Sequence, residues 1–329
     1  MSRIVTYSPA YTIVPTYECF NHCTYCNFRS EPSKSSWLSL SEAEAKLLSL
    51  KNQGVIEILI LSGEVHPNSQ NRPTWFQLIY DLCKLALSLG FLPHTNVGPL
   101  SRAEMKELKQ VNVSMGLMLE QMTPKLLQTV HKNAPSKIPH LRLQQLELAG
   151  ELRIPFTTGL LLGVGETVTD WKETLIAIAN VHKKWGHIQE VILQPYSPGE
   201  RQIWNSEAFD INLLPDIVAI ARKILPSTIA LQIPPNLVTK PEILLACVET
   251  GASDLGGIGL HDEVNPDYPH PHYQGLAKVL QSRRWQLIKR LPVYSQYDAW
   301  LPTNLGNVVS KWRMRLLIDL SGKEEVGSR

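Results

Sequence analysis

A chain of 329 residues, 43% of them hydrophobic, can bury a large core, either as one barrel or as two smaller domains. Its 32 basic and 30 acidic residues are spread without blocks, so no nucleic-acid stripe and no membrane-binding surface is expected. Apolar runs such as Ile58-Leu-Ile-Leu61 and Leu160-Leu-Leu162 are too short to span a bilayer, and from residues 1–12, which alternate polar and apolar and are interrupted by Pro9, no signal peptide is expected. The expected compartment is cytoplasmic, where thiols stay reduced and clustered cysteines bind metal rather than pair.

Taken in order, short β-rich runs alternate with longer stretches of helical period as far as residue 285. The expected strands are 13–18, 57–63, 92–98, 112–120, 157–163, 188–196, 229–235 and 254–259. Ser39-x-x-Glu42, Ser101-x-x-Glu104 and Thr239-x-Pro241-Glu242 carry side-chain oxygens where a helix start needs an acceptor. Trp75, Ile79, Leu82, Ala86 and Leu89 form one helical stripe, and Trp171, Leu175, Ile178 and Trp185 another. Strict alternation of strand and helix implies parallel strands with right-handed crossovers. Eight such units suit a closed (β/α)8 TIM-type barrel, with an open doubly wound sheet as the alternative. The chain reads as one domain over 1–329, with a barrel core over 13–285 and a C-terminal tail over 286–329 packed on it.

Three of the five cysteines lie within one short run, Cys19-Phe-Asn-His-Cys23-Thr-Tyr-Cys26, directly after the first expected strand. Three thiolates on one loop can hold three irons of a [4Fe–4S] cluster and leave the fourth open for a ligand. The alternative is a zinc loop that uses His22 or a distant residue. Cys83 and Cys247 sit in apolar helical runs and read as small buried hydrophobes. Glu120 closes an otherwise apolar run, so its carboxylate needs either ligand hydroxyls or a loop lysine. Arg142 opens a helical stretch, where by itself it reads as a solvated helix arginine.

The CxxxCxxC spacing, with Tyr25 before its last cysteine, resembles the radical S-adenosylmethionine (SAM) enzymes. So do Gly63-Glu64, similar to the GGE motif of that superfamily with Ser62 where Gly is common, and Gly159, Gly163 and Glu166, which match its GxIxGxxE motif. The resemblance implies a [4Fe–4S] cluster on Cys19, Cys23 and Cys26, with SAM consumed as co-substrate. SAM would contact Tyr25, Gly63, Glu64, Glu120, Arg142, Gly163 and Glu166, the last tying its loop down.

Further blocks, among them Pro93-His-Thr-Asn-Val-Gly-Pro-Leu-Ser101, Ile233-Pro-Pro-Asn236 and Arg290-Leu-Pro-Val-Tyr294, are similar to the smaller component of the 7,8-didemethyl-8-hydroxy-5-deazariboflavin (FO) synthases. Gln194-Pro-Tyr-Ser-Pro198 departs from many members of that family. Members of the family take the 4-hydroxybenzyl adduct of 5-amino-6-ribitylaminouracil from a companion radical enzyme and close the ring with loss of ammonia. The implied partners are that companion component and a reduced ferredoxin or flavodoxin. Substrate contacts are expected at His66, Asn96, Gln194, Tyr196, Asn236 and His261, with Tyr294 reaching over from the tail. Another radical SAM enzyme, or a zinc-stabilised binding protein, are the competing readings.

Overall fold

The structure is a computed structural model that describes residues 3–259 and 261–326. Eight parallel strands close on themselves: β1 (Arg3–Ile13), β2 (Glu57–Leu61), β3 (Leu92–Asn96), β4 (Ser114–Gly116), β5 (Phe156–Leu162), β6 (Ile188–Pro195), β7 (Ala230–Gln232) and β8 (Asp254–Ile258). Each pairs in parallel with the next, and β8 returns to β1 through Thr6, Ser8 and Pro9. Closure leaves the barrel strands without free edges, and helices cover their outer faces. For that reason β5 is buried at every residue rather than at alternate ones.

The helices α1 (Leu40–Ser49), α2 (Arg72–Ser88), α3 (Arg102–Leu108), α4 (Pro139–Glu151), α5 (Val168–Trp185), α6 (Leu214–Ile224), α7 (Pro241–Thr250) and α8 (Tyr273–Gln281) lie between strands. Ser39 and Ser101 close reciprocal capping boxes with Glu42 and Glu104, as their spacing predicts. The expected cap at Thr239 does not form. The residue before α7 is Lys240, and Pro241 starts the helix at a position whose N–H would have had no partner. The stripes expected on α2 and α5 are buried except at their last residues, Leu89 and Trp185, which are half-buried, and Cys83 and Cys247 are buried too.

The first strand starts at Arg3 instead of residue 13, so 14–18 is the exit from the strand and not the strand itself. Pro9 does not interrupt it. On one edge β1 pairs through Arg3–Tyr7 with a ninth strand, β9 (Trp285–Lys289), and through Ala10–Ile13 with β2. Pro9 falls where the partner changes, so the ladder loses no bond to its missing N–H.

After β9 the tail runs through a turn at Ser295–Trp300 into α9 (Thr303–Val326). Leu291, Val293, Tyr297 and Val309 pack on Ile56, Leu92 and Val113, which lie where β2, β3 and β4 begin. The tail therefore caps the N-terminal end of the barrel and leaves the C-terminal mouth to the loops.

Candidate active site

The thiol loop leaves the mouth end of β1 and is held by its neighbours. Cys19 N–H donates to Ser30 O, Phe20 N–H to Glu64 O, His22 N–H to Asn133 O and Thr24 N–H to Val130 O. From outside, Ile203 and Trp204 N–H both reach Thr24 O. Gly63 is required by this packing: a Cβ there would lie 2.1 Å from Glu18 O.

Cys19, Cys23 and Cys26 are all free thiols, and burial pushes Cys19 up and Cys23 up to about 12. Such thiols lose their protons to a metal rather than to water. Among the described residues no three His, Cys, Asp or Glu side chains gather about one point as a single ion would need. Thiols that each take a separate iron of a cluster need no common point. His22, the fourth ligand of the zinc alternative, is exposed, with Nε2 3.9 Å from Glu31 Oε2. The donor set fits an iron–sulfur cluster.

Beside the loop lies a buried ionic network. Glu64 follows β2 and accepts from Asn21 Nδ2 at 2.9 Å, from Arg142 Nη2 at 2.9 Å and from Ser136 Oγ. Its side chain lies over Gly98, where a Cβ would come within 2.4 Å of Glu64 Cγ. Arg142 is 2% exposed and also donates to Met118 O and Ser136 O, so it is not the solvated helix arginine of the alternative reading. Glu120 holds a left-handed backbone with φ 66 after β4 and pairs with Lys137, the loop lysine that the sequence left open as its partner. Burial opposes ionisation of Glu120, but Lys137 and Arg142 outweigh it and hold the carboxyl below its usual range. Tyr25 is half-buried, and its hydroxyl lies 3.0 Å from His131 Nε2.

After β5, Glu166 turns back to accept from Gly163 N–H at 2.6 Å, Val164 N–H at 2.8 Å and Trp171 Nε1 at 2.7 Å. It ties the loop down as the motif implies. Gly163 has φ 93, in the left-handed region that favours glycine.

A cavity of about 170 Å³ runs down the barrel axis. Asn96, Gln194, Asn236 and His261, four of the residues offered as substrate contacts, line its upper part. Asn236 is 2% exposed, and its Oδ1 has no hydrogen-bond partner, so an acceptor is held ready at the mouth. Two expected contacts lie elsewhere. His66 lines a separate groove with Phe20 and Arg72. Tyr196 is buried against Trp204 in a side cluster with Leu126 and Val130, because the chain turns outward after Pro195. Tyr294 reaches the barrel from below, and its hydroxyl donates to Glu190 and Asp254, so it is not a mouth residue.

The sequence reading missed Lys137 and the whole lower cavity: Glu57, His94, Glu190 and Arg290. A signal was available for Glu190, a carboxylate inside the apolar run Ile188–Pro195, by the reasoning applied to Glu120. At the barrel floor Arg290 forks onto Asp254 and also reaches Glu190. Burial raises the carboxyl of Glu190, whereas the fork holds that of Asp254 low against the same burial.

A closed (β/α)8 barrel with three free thiols on the loop after its first strand defines an enzyme of the radical SAM class, and residues 13–178 match the model of the radical SAM superfamily. The barrel is similar to the [FeFe]-hydrogenase maturase HydG from Carboxydothermus hydrogenoformans (TM-score 0.71, 19% identity, covering 97% of this chain and 79% of that one). It is also similar to methylornithine synthase (TM-score 0.65, 14% identity, covering 91% of this chain and 86% of that one). The chain is 78% identical over 318 residues to the 7,8-didemethyl-8-hydroxy-5-deazariboflavin synthase of Trichodesmium erythraeum, covering 97% of this chain and 100% of that protein. It is 67% identical to the synthase of the same name from Trichormus variabilis, covering 94% and 91%. The chain belongs to the radical SAM superfamily and, within it, to the 7,8-didemethyl-8-hydroxy-5-deazariboflavin synthases. Membership implies an iron–sulfur cluster and SAM. No described helix is long and apolar enough to cross a membrane.

Proposed function

We propose that this enzyme makes FO from the 4-hydroxybenzyl adduct of 5-amino-6-ribitylaminouracil, by hydrogen abstraction, ring closure and loss of ammonia. The observation that carries the reading is 78% identity along the full length of a relative with that name. A [4Fe–4S] cluster on Cys19, Cys23 and Cys26 would supply the electron that splits SAM into methionine and a 5′-deoxyadenosyl radical.

The chain's own residues bind, orient and shield. Glu64 and Arg142, now paired with each other, offer a carboxylate and a guanidinium to the ammonium and carboxylate of SAM. Glu120 offers its carboxylate to ribose hydroxyls, and Lys137 neutralises it meanwhile. Gly63 keeps the thiol loop close to β2, Gly163 and Glu166 shape the loop after β5, and Tyr25 packs between. Asn236 Oδ1 is free to accept an N–H, and Gln194, Asn96 and His261 line the same level of the cavity. The companion enzyme would supply the adduct, and a reduced ferredoxin or flavodoxin the electron.

The test is anaerobic. Protein reconstituted with iron and sulfide is given the adduct, SAM and a reductant, and fluorescent deazaflavin is expected. SAM cleavage without deazaflavin would overturn the assignment. A colourless protein that retains zinc would overturn the enzyme class.

A further inference from the structure

The interior of a (β/α)8 barrel is ordinarily filled by layers of bulky branched side chains. Here Ala10, Gly116 and Gly257 face the axis, and the space they leave is continuous from mouth to floor. Glu190, Ile192 and Gln194 point into this shaft from one strand, at alternate residues. Glu190 and Gln194 are four positions apart, about 13 Å along the strand, so a single ring cannot touch both levels.

The floor has an unusual charge balance. Glu57 and Glu190 both line the cavity, at 7% and 4% exposure, and the nearby cation is Arg290. Arg290 is already committed: its Nε and Nη2 fork onto Asp254, at 2.6 and 2.8 Å. Two carboxylates are thus left to share the remainder of one guanidinium. Burial pushes both of their carboxyls up, towards the form that can donate as well as accept. Thr157 and His94 line the same level. A ligand group that matches such a floor is rich in hydroxyls, which also donate and accept.

The thiol loop is at the opposite end, so the reacting part of the substrate belongs at the mouth and an unreactive part goes down the shaft. The adduct has two extremities, a phenol with a single O–H and a ribityl chain with several. We propose that the ribityl chain is threaded down the barrel and held at its floor by Glu57 and Glu190, which makes these two residues the determinants of specificity for a polyhydroxylated tail. This inference rests on the reaction proposed above.

The test uses the reconstituted enzyme, its Glu190→Gln and Glu57→Gln variants, and three ligands: the intact adduct, an adduct with N-methyl in place of ribityl, and an adduct without the phenol hydroxyl. Binding is measured by calorimetry without reductant, and turnover separately. Iron content and thermal unfolding report folding, and Glu57→Gln serves if Glu190→Gln does not fold. Wild type is expected to bind the N-methyl adduct about a hundredfold or more weakly, the equivalent of losing two or three hydrogen bonds to the tail. In either variant the intact adduct binds about tenfold or more weakly, and truncating its tail then has a smaller effect than in wild type. Equal binding of both tails by wild type, or additive losses in the variants, would overturn the proposal. So would variants that become insensitive to the phenol hydroxyl instead, since that places the other end at the floor. Binding of the intact adduct without deazaflavin formation would count against the reaction assigned and leave the tail comparison to decide this inference.

Discussion

The barrel has a buried ionic network at each end, and the two are built from different kinds of backbone. At the mouth, Glu64 and Glu120 follow strand ends, Lys137 lies in a short turn, and Arg142 is on α4. At the floor, Glu190 and Asp254 are strand residues and Arg290 directly follows β9. The mouth network fastens irregular segments to one another, and the floor network fastens strands that backbone ladders already hold. Segments joined mainly by side chains can exchange partners when a ligand arrives, whereas ladder-held strands give a fixed surface. On this reasoning the mouth is expected to adapt to a ligand and the floor to stay fixed.

The largest effect separates chemistry from fold. Cys23→Ala removes a thiol from the loop and breaks no hydrogen bond of either ionic network, so bound iron and deazaflavin formation should be abolished while the circular dichroism spectrum stays that of the wild type. Retained turnover would mean that the loop does not carry the cluster. Next, Arg142→Met and Arg290→Met each leave buried carboxylates without their cation and should each cost about 3–5 kcal/mol in urea unfolding. Only Arg142→Met should also lower iron retention, because Glu64 fixes Asn21, whose amide in turn donates to Cys19 Sγ at 3.7 Å. Equal iron loss in both variants would erase the distinction between the two ends.

A smaller effect comes from His94, whose imidazole burial holds neutral down to about 3. The unfolded chain takes up this proton below its ordinary value of 6.5, so stability is present above that pH and falls as pH drops towards 3. Between pH 6.5 and pH 5 the loss from this residue should be about 2 kcal/mol, and His94→Gln should flatten that limb of the urea midpoint against pH. The smallest change is Cys83→Ala, at about 1 kcal/mol with iron content unchanged, since Cys83 packs behind β3, where its sulfur receives Asn112 Nδ2 and lies 3.7 Å from Thr95 Oγ1.

The alternation of strands and helices was legible in the sequence because parallel barrel strands and amphipathic helices leave different periods. The thiol loop was legible from the spacing of its cysteines and Glu120 as a carboxylate at the end of an apolar run, whereas Glu64 and Glu166 were read through their resemblance to family motifs. β1 was misplaced because its two halves have different partners, and Pro9, which marks the change, looks like a break. The floor was illegible because Arg290 comes from beyond the last expected strand, and no local pattern announces that a tail will return to the first strand. Tyr196 and His66 were taken for mouth residues because they follow strand ends. The turn after Pro195 and the path of Val65 and Pro67 carry them to other surfaces.

The double partnership of β1 also sets a schedule for the newborn chain. Its upper half can find β2 early, but Arg3–Pro9 must wait for β8 and β9, the latter ending at Lys289. At ribosomal speeds of about 5–20 residues per second, that half-strand emerges tens of seconds before its mates. An oxygen-sensitive centre is thus best installed after release, when the last turn of the chain has sealed the bottom of the molecule and steadied the strand from which the thiol loop hangs.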